Sequence, residues 1–235
     1  MKKLKKARPQ PGIQSVENAF SVLGALVSAG RPLRLRDIEE VTGLSRNLAH
    51  AYLVSLRRVG VEEARIEQTD EGALVASGGW FVLNAAEMSW MRDDKGGEWM
   101  DFGNPDGEFQ QYGIGVHVLH PGQVNGLYHS ESVQEDFLVL SGECLLLVEE
   151  QERRLKAWDF VHFAPGTRHI CIGVGEGPCA ILMVGARGPG KTLHYPVTEL
   201  AQKHGVAAPA ETDDSRQAYR EIPRNFRRVK ATWPV

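Results

Sequence analysis

The apolar positions of this chain change rhythm once. In "SVENAFSVLGALVSAG", Val16, Ala19, Phe20, Leu23 and the pair Leu26/Val27 recur at three-and-four spacing, which predicts an amphipathic helix capped by Ser15 and stopped at Gly30. The next stretch, "LRLRDIEEVTGLSRNLAHAYLVSLRRVG", predicts a short helix over about 35–42, a tight turn at Gly43, and a third helix capped by Ser45 and stopped at Gly60. Leu48, Tyr52, Leu53 and Leu56 form the apolar side of that third helix. The spacing in "VEEARIEQTDEGALVA" permits a hairpin.

From residue 79 the helical period disappears. "WFVLN", "YGIGVHVL", "DFLVLSG", "CLLLVEE", "DFVHFA", "HICIGVG" and "CAILMVG" are short β-branched and aromatic runs separated by turn residues, the pattern of an all-β sandwich or barrel. "MRDDKGGEWMDFGNPDGEF" reads as a long connection interrupting it. Two short helices close the chain, "TELAQKHG" capped by Thr198 and "DSRQAYREI" capped by Asp214.

With 235 residues, 42% hydrophobic and 24% charged, the chain has room for one large or two modest domains and can bury a real core. It contains no apolar run of about 18 residues, and no apolar stretch follows its basic start, so neither a membrane span nor a secretion signal is expected. Cys144, Cys171 and Cys179 sit in apolar runs without C-x-x-C spacing, which predicts buried, reduced thiols and a cytoplasmic setting. Charge divides unevenly. Residues 1–76 hold 12 Lys/Arg against 9 Asp/Glu, net +3, and the remainder is net −6. Five of the first eight residues are basic, which suits either a phosphate-following arm or a solubilising tail.

The polar side of the third helix carries Ser45, Arg46, Asn47, His50, Arg57 and Arg58, types able to contact phosphates and base edges from a major groove. The opening Ser-Val-Glu, the approach Leu-x-x-Ile-x-x-x-x-Gly-Leu and the pair Ala49-His50 together resemble the winged helix-turn-helix of IclR-type transcription regulators. That resemblance implies a DNA operator as partner, contacts from the six residues just named, and a homodimer. Leu48 and Ala51 depart from it, standing where a hydroxyl residue and an arginine are common. The expected wing holds five acidic residues and one arginine, a poor surface against phosphates, so a helix-turn-helix kept for dimerisation stays an open alternative.

In "YHSESVQEDFLVLSGE", strand alternation puts His129, Glu131 and Glu135 on one side with Phe137 and Val139, and "PGTRH" supplies His169. Two imidazoles with carboxylates on adjacent strands suit a divalent metal such as Zn, Fe, Mn or Ni; solvated polar residues on an exposed sheet face are the bland alternative. "HxExxxExxxxxxG" from His129 to Gly142, with "PGTRH", resembles the two motifs of the cupin superfamily. This implies a double-stranded β-helix (jelly-roll barrel) with His129, Glu135 and His169 at metal-ligand positions and Glu131 where a second histidine is usual. Tyr128, Phe137 and Val139 are then expected to line the ligand pocket. His117, His120 and His162 are left out of the ligand set.

"GARGPGKT" matches the phosphate-loop pattern G-x-x-x-x-G-K-[ST] from Gly185 to Thr192, but Pro196 interrupts any helix beginning at Lys191 and only 43 residues follow. No nucleotide is expected there. The expectation is therefore an α+β multidomain chain: a basic arm (1–12), a winged helix-turn-helix (13–76), an all-β cupin barrel (79–190) and a helical tail (191–235). Its function would be DNA-binding transcription regulation with the barrel sensing a small-molecule effector; a metal-dependent cupin oxygenase, isomerase or decarboxylase with a helical appendage, or a metal-free ligand-binding cupin, are the alternatives.

Overall fold

A computed structural model describes residues 13–58, 62–103, 109, 111–223 and 225–233. The expected basic arm, the Gly60 stop and the Arg58 side chain lie outside them. The chain forms two compact units. One runs through Ala64 and takes in Gly78–Phe81; the other comprises Arg65–Ser77 and Val82 onward.

The first unit holds helices α1 (Gln14–Ala29), α2 (Leu35–Thr42) and α3 (Arg46–Arg58). Ile13 rather than Ser15 occupies the N-cap of α1, while Gly30 and Gly43 end α1 and α2 in the left-handed region, at φ 57° and 71°. The Asp37 carboxylate accepts the Arg34 N–H at 2.9 Å and so closes the start of α2. The core is Val22, Ile38 and Ala49, flanked by Leu26, Leu33, Leu44, Tyr52, Leu53 and Leu56. On α1 this corrects the expected face. Val16, Phe20 and Val27 are exposed, because the helix carries apolar residues on two sides and only the stripe containing Val22 and Ala25 meets α2 and α3.

The second unit is built of strands. β1 (Ile66–Thr69) and β2 (Gly72–Val75) pair as the hairpin expected of a wing, yet the hairpin groups with the second unit, where Ala73 bridges Met88. β3 (Ser89–Asp93) and β4 (Gly97–Asp101) form a hairpin that overlaps the stretch expected to be a connection. The segment expected as a strand at 80–84 holds only a bridge at Trp80.

There follow β5 (Tyr112–Leu119), β6 (Ser130–Glu131), β7 (Glu135–Ser141), β8 (Glu143–Val148), β9 (Gln151–Lys156), β10 (Phe160–Phe163), β11 (His169–Val174), β12 (Cys179–Ala186) and β13 (Leu193–His194). Helices α4 (Glu199–Lys203) and α5 (Ser215–Ala218) have the expected caps, Thr198 and Asp214. The tail is not purely helical. β13 pairs with β6, and β14 (Arg227–Lys230) pairs with β3.

A seven-stranded sheet runs β10-β7-β12-β5-β4-β3-β14, and a three-stranded sheet runs β11-β8-β9. Their facing sides enclose a core of Phe137, Val139, Ile181 and Leu119 from the large sheet and Cys144, Leu146 and Cys171 from the small one. The outer side of the small sheet is covered too, with Leu147 and Ile170 packed against Tyr128, Ala201 and Val206. Burial on both sides is why "HICIGV" reads as an unbroken apolar run rather than an alternating one. Gly142, which turns β7 into β8, has φ 70°, and a Cβ there would stand 2.3 Å from the Pro178 carbonyl oxygen. Only glycine fits that turn.

Candidate metal centre and candidate nucleic-acid interface

Cross-strand partners share a side of a sheet, so the register of the large sheet predicts its concave face. Trp99 opposes His117, His117 opposes Ile181, and Ile181 opposes Val139; one step on, Gly115 opposes Met183, which opposes Phe137. Gly113 opposes Gly185, which opposes Glu135. The face therefore changes from a closed apolar core at Val139 and Ile181 to a polar mouth at Glu135, His117 and Trp99.

His169 enters from the first residue of β11, and His129 lies beside it through an antiparallel bridge in which each backbone N–H donates to the other's carbonyl at 3.3 and 2.8 Å. His129, Glu135 and His169 each present one ligand atom, all within 4.8 Å of one another. Nδ1 of His129 pairs with the Leu127 carbonyl at 2.7 Å, and Nδ1 of His169 with the Thr167 carbonyl at 3.0 Å. A carbonyl can only accept, so each Nδ1 donates a proton to its carbonyl and each Nε2 is left facing the cluster, the nitrogen a metal would take. Phe163 stacks on the His169 ring at 3.8 Å between centroids and Phe137 meets it edge-on, which holds the ring in place.

Burial, and then the neighbouring His169, pushes His129 down to about 4, so its imidazole is neutral at physiological pH. Burial works to raise the Glu135 carboxyl, but its contact with His169 prevails and holds it below its ordinary value. Glu135 Oε2 and His169 Nε2 lie 3.2 Å apart, and both are buried atoms that complete no hydrogen bond among the described residues. Buried polar atoms ordinarily have partners. Two converging orphans and a neutral imidazole fit a divalent cation; two imidazoles and one carboxylate suit Zn, Fe, Mn or Ni.

Glu131 does not join the three. Its Oε1 is 4.0 Å from His129 Nε2, and its Oε2, a third buried atom that completes no hydrogen bond among the described residues, forms an ion pair with Lys191. Burial, then Glu135, raises the Glu131 carboxyl, against the pull of Lys191. Lys191 belongs to the phosphate-loop look-alike, which turns at Gly190 (φ 84°) and runs into strand β13 rather than a helix. Sequence reasoning missed this lysine because 59 intervening residues separate it from its carboxylate.

The residues expected to line a pocket are instead core. Tyr128, Phe137 and Val139 are buried, and the Tyr128 hydroxyl bonds Glu150 at 3.2 Å. Strand alternation gave Phe137 and Val139 the right side of the sheet but not the depth, and Tyr128 lies on the outer side of the small sheet. Two open clefts share Trp99, from the stretch expected to be a connection, and His117, which was left out of the ligand set. A cleft of about 650 Å³ is walled by Trp99, His117, Leu127, Tyr219 and Phe226, and a smaller one of about 190 Å³ joins Trp99 and His117 to Glu135, Met183, Arg187 and Lys191. His162 points the other way and bonds Asp136 at 2.6 Å.

In the helical unit, Ser45, Arg46, Asn47, His50 and Arg57 are exposed, and Ser45 Oγ accepts the Leu48 N–H at 3.4 Å as the cap of α3. Arg46 pairs with Glu39 at 2.7 Å and Arg57 with Glu62 at 3.3 Å. Both are surface pairs that a phosphate could replace at small cost. Leu48 is 40% exposed on the same helix.

Comparison with known proteins places both halves. Residues 15–61 match the family model of the IclR helix-turn-helix domain, and residues 115–185 match that of the cupin domain. No curated protein matches the chain. Among solved structures, a cupin-superfamily sugar phosphate isomerase from Silicibacter pomeroyi DSS-3 is 26% identical, covering 44% of this chain and 68% of that one, with a TM-score of 0.40. A conserved double-stranded β-helix protein from Klebsiella pneumoniae is 27% identical over 43% of this chain and 88% of its own, with a TM-score of 0.36. A cupin 2 conserved barrel protein from Salinispora arenicola CNS-205 is 17% identical over 49% and 87%, with a TM-score of 0.37.

Proposed function

We propose that this chain, which joins an IclR helix-turn-helix domain to a cupin domain, is a cytoplasmic DNA-binding transcription regulator whose barrel senses a small molecule at a divalent-metal site. The observation that carries the sensing half is the pair of orphaned buried atoms, Glu135 Oε2 and His169 Nε2, facing the free Nε2 of His129. His129 and His169 through Nε2 and Glu135 through its carboxylate would hold the ion. When bound, it supplies a Lewis-acidic anchor for an oxygen or nitrogen donor of the effector. The protein's own part is to keep both imidazoles in the ligating tautomer, to exclude water with Phe137 and Phe163, and to offer the effector the wall formed by Trp99, His117 and Met183.

On the DNA side, α3 enters the major groove with Arg46, Asn47 and His50 toward bases and phosphates, Ser45 fixing its first turn and Arg57 reaching the backbone. A second copy is needed to read an operator of two half-sites. The exposed apolar stripe of Ile13, Val16, Phe20 and Val27 along α1 supports such a pairing, since water-facing apolar residues at one helix face favour burial against a like surface. Effector binding that favours one of two dimer arrangements would then change the operator affinity. Support for a metal-dependent enzyme is narrower: three protein ligands leave coordination positions open.

The test is operator affinity measured across candidate metabolites with metal present and removed. A response that requires metal and is lost with His169→Ala supports the reading. A protein that retains no metal and never responds defeats its sensing half.

A further inference from the structure

Lys191 belongs to a sequence pattern that the function just described does not use, yet it is placed with care. Ser132 and Thr192 hold the two chain segments together by reciprocal bonds: Ser132 N–H donates to the Thr192 carbonyl at 3.0 Å, and Thr192 N–H donates to Ser132 Oγ at 2.8 Å. Leu193 pairs in register with Glu131 across β13 and β6. The Gly166 N–H donates to the Glu131 carbonyl at 2.7 Å and fixes that backbone from the other side. Between these anchors the Lys191 N–H closes a turn onto the Gly188 carbonyl at 3.3 Å. The ammonium is thereby delivered to Glu131 Oε2.

The pairing matters because Glu131 stands at the rim of the ligand set. Its Oε1 is 4.0 Å from the ligating nitrogen of His129, and its side chain is 9% exposed. A buried carboxylate so close to three metal ligands has two ways to be satisfied, a cation on the protein or the metal itself. Here the protein supplies the cation.

Resting on the metal reading above, we propose that Lys191 is a positioning residue that withholds Glu131 from the metal. The centre is thus limited to His129, Glu135 and His169, of which Glu135 also lines the cleft containing Arg187 and Lys191. Lys191 thereby sets the coordination number, and its ammonium favours an effector whose donor group is anionic, a carboxylate or a phosphate.

The experiment loads the full-length protein with Co²⁺ alone and follows its visible ligand-field bands, with affinity by calorimetry. Lys191→Met should free Glu131 to become a fourth ligand, changing the bands and tightening Co²⁺ on the order of tenfold. Glu131→Gln alone should leave the bands unchanged, and the double variant Glu131→Gln/Lys191→Met should restore the wild-type spectrum. Lys191→Arg, which keeps the cation, should match wild type, and circular dichroism melting of each variant establishes that it folds. Unchanged bands in Lys191→Met, or altered bands in Glu131→Gln alone, would overturn the assignment to Lys191 while leaving the metal reading intact. A wild-type protein that takes up no Co²⁺ would overturn both.

Discussion

The helical unit and the barrel treat polar side chains in opposite ways. On α3, Arg46, Asn47 and His50 stand in solvent, and the ion pairs of Arg46 and Arg57 are exposed. In the barrel His169 is 1% exposed, stacked on Phe163, with a ring nitrogen that no described residue satisfies. Water keeps the first set stable without any partner, so its role depends on the charge of whatever approaches. The second set is costly as it stands, and a ligand that completes it recovers that cost. Function on the helix should be lost without loss of fold, whereas function in the barrel should be tied to stability.

The largest break in that contrast should come from the ligands themselves. His129→Ala or His169→Ala removes one of three protein donors, and divalent-metal affinity should fall by more than about 100-fold, beyond the range seen for residues that only orient a ligand. Elemental analysis after gel filtration would read this directly. Retention of metal at wild-type stoichiometry would return the cluster to an ordinary buried polar network.

Next in size is Phe163→Ala. The ring is 2% exposed and packs on both Phe137 and His169, so truncation should cost about 3–5 kcal/mol in chemical denaturation and weaken metal binding with it. A stability loss with unchanged metal affinity would separate the core from the site.

Acid should also distinguish the two regions. His117 is held down to about 4 by burial, against a carbonyl contact to Gly96 at 2.5 Å that works the other way, and His129 is lowered similarly. Each binds its proton more readily in the unfolded chain, so their stabilisation is complete above about pH 6.5 and is lost as pH falls toward 4. His117→Gln should flatten that part of the metal-free protein's stability curve by up to about 3 kcal/mol. A curve of unchanged slope would show that His117 is not held neutral.

The smallest effect on stability, and the sharpest on recognition, belongs to α3. Asn47→Ala should leave unfolding nearly unchanged while costing about 1–3 kcal/mol in discrimination between operator and other DNA. Equal weakening on all sequences would make Asn47 a backbone contact.

Much of this was readable from residue order, for reasons that differ by element. The second helix over 35–42 and the strand over 112–119 stand where spacing and turn residues put them, because each carries its own boundary signals: Gly43 for the first and the flanking turn residues for the second. The strand at Gln151–Lys156 gave no signal. It lies at the edge of the small sheet with nearly all side chains in water, so it has no apolar alternation. The hairpin at Ser89–Asp101 was hidden by its turn, whose Asp-Lys-Gly-Gly run dominated a stretch that also held Trp99. Of the candidate site, His129, Glu135 and His169 were legible from motif spacing. Trp99, His117 and Lys191 were not, because what brings them to the mouth is the register between strands distant in sequence.

The most direct test of the central claim is a mobility shift of a labelled fragment from the gene's own upstream region, at near-physiological salt with excess competitor DNA, where nonspecific phosphate attraction is weak. The account predicts a specific complex that is lost with Arg46→Ala or Asn47→Ala and whose affinity changes when metal is removed. No complex on any flanking promoter would contradict it, and would turn attention to turnover by the metal-loaded barrel.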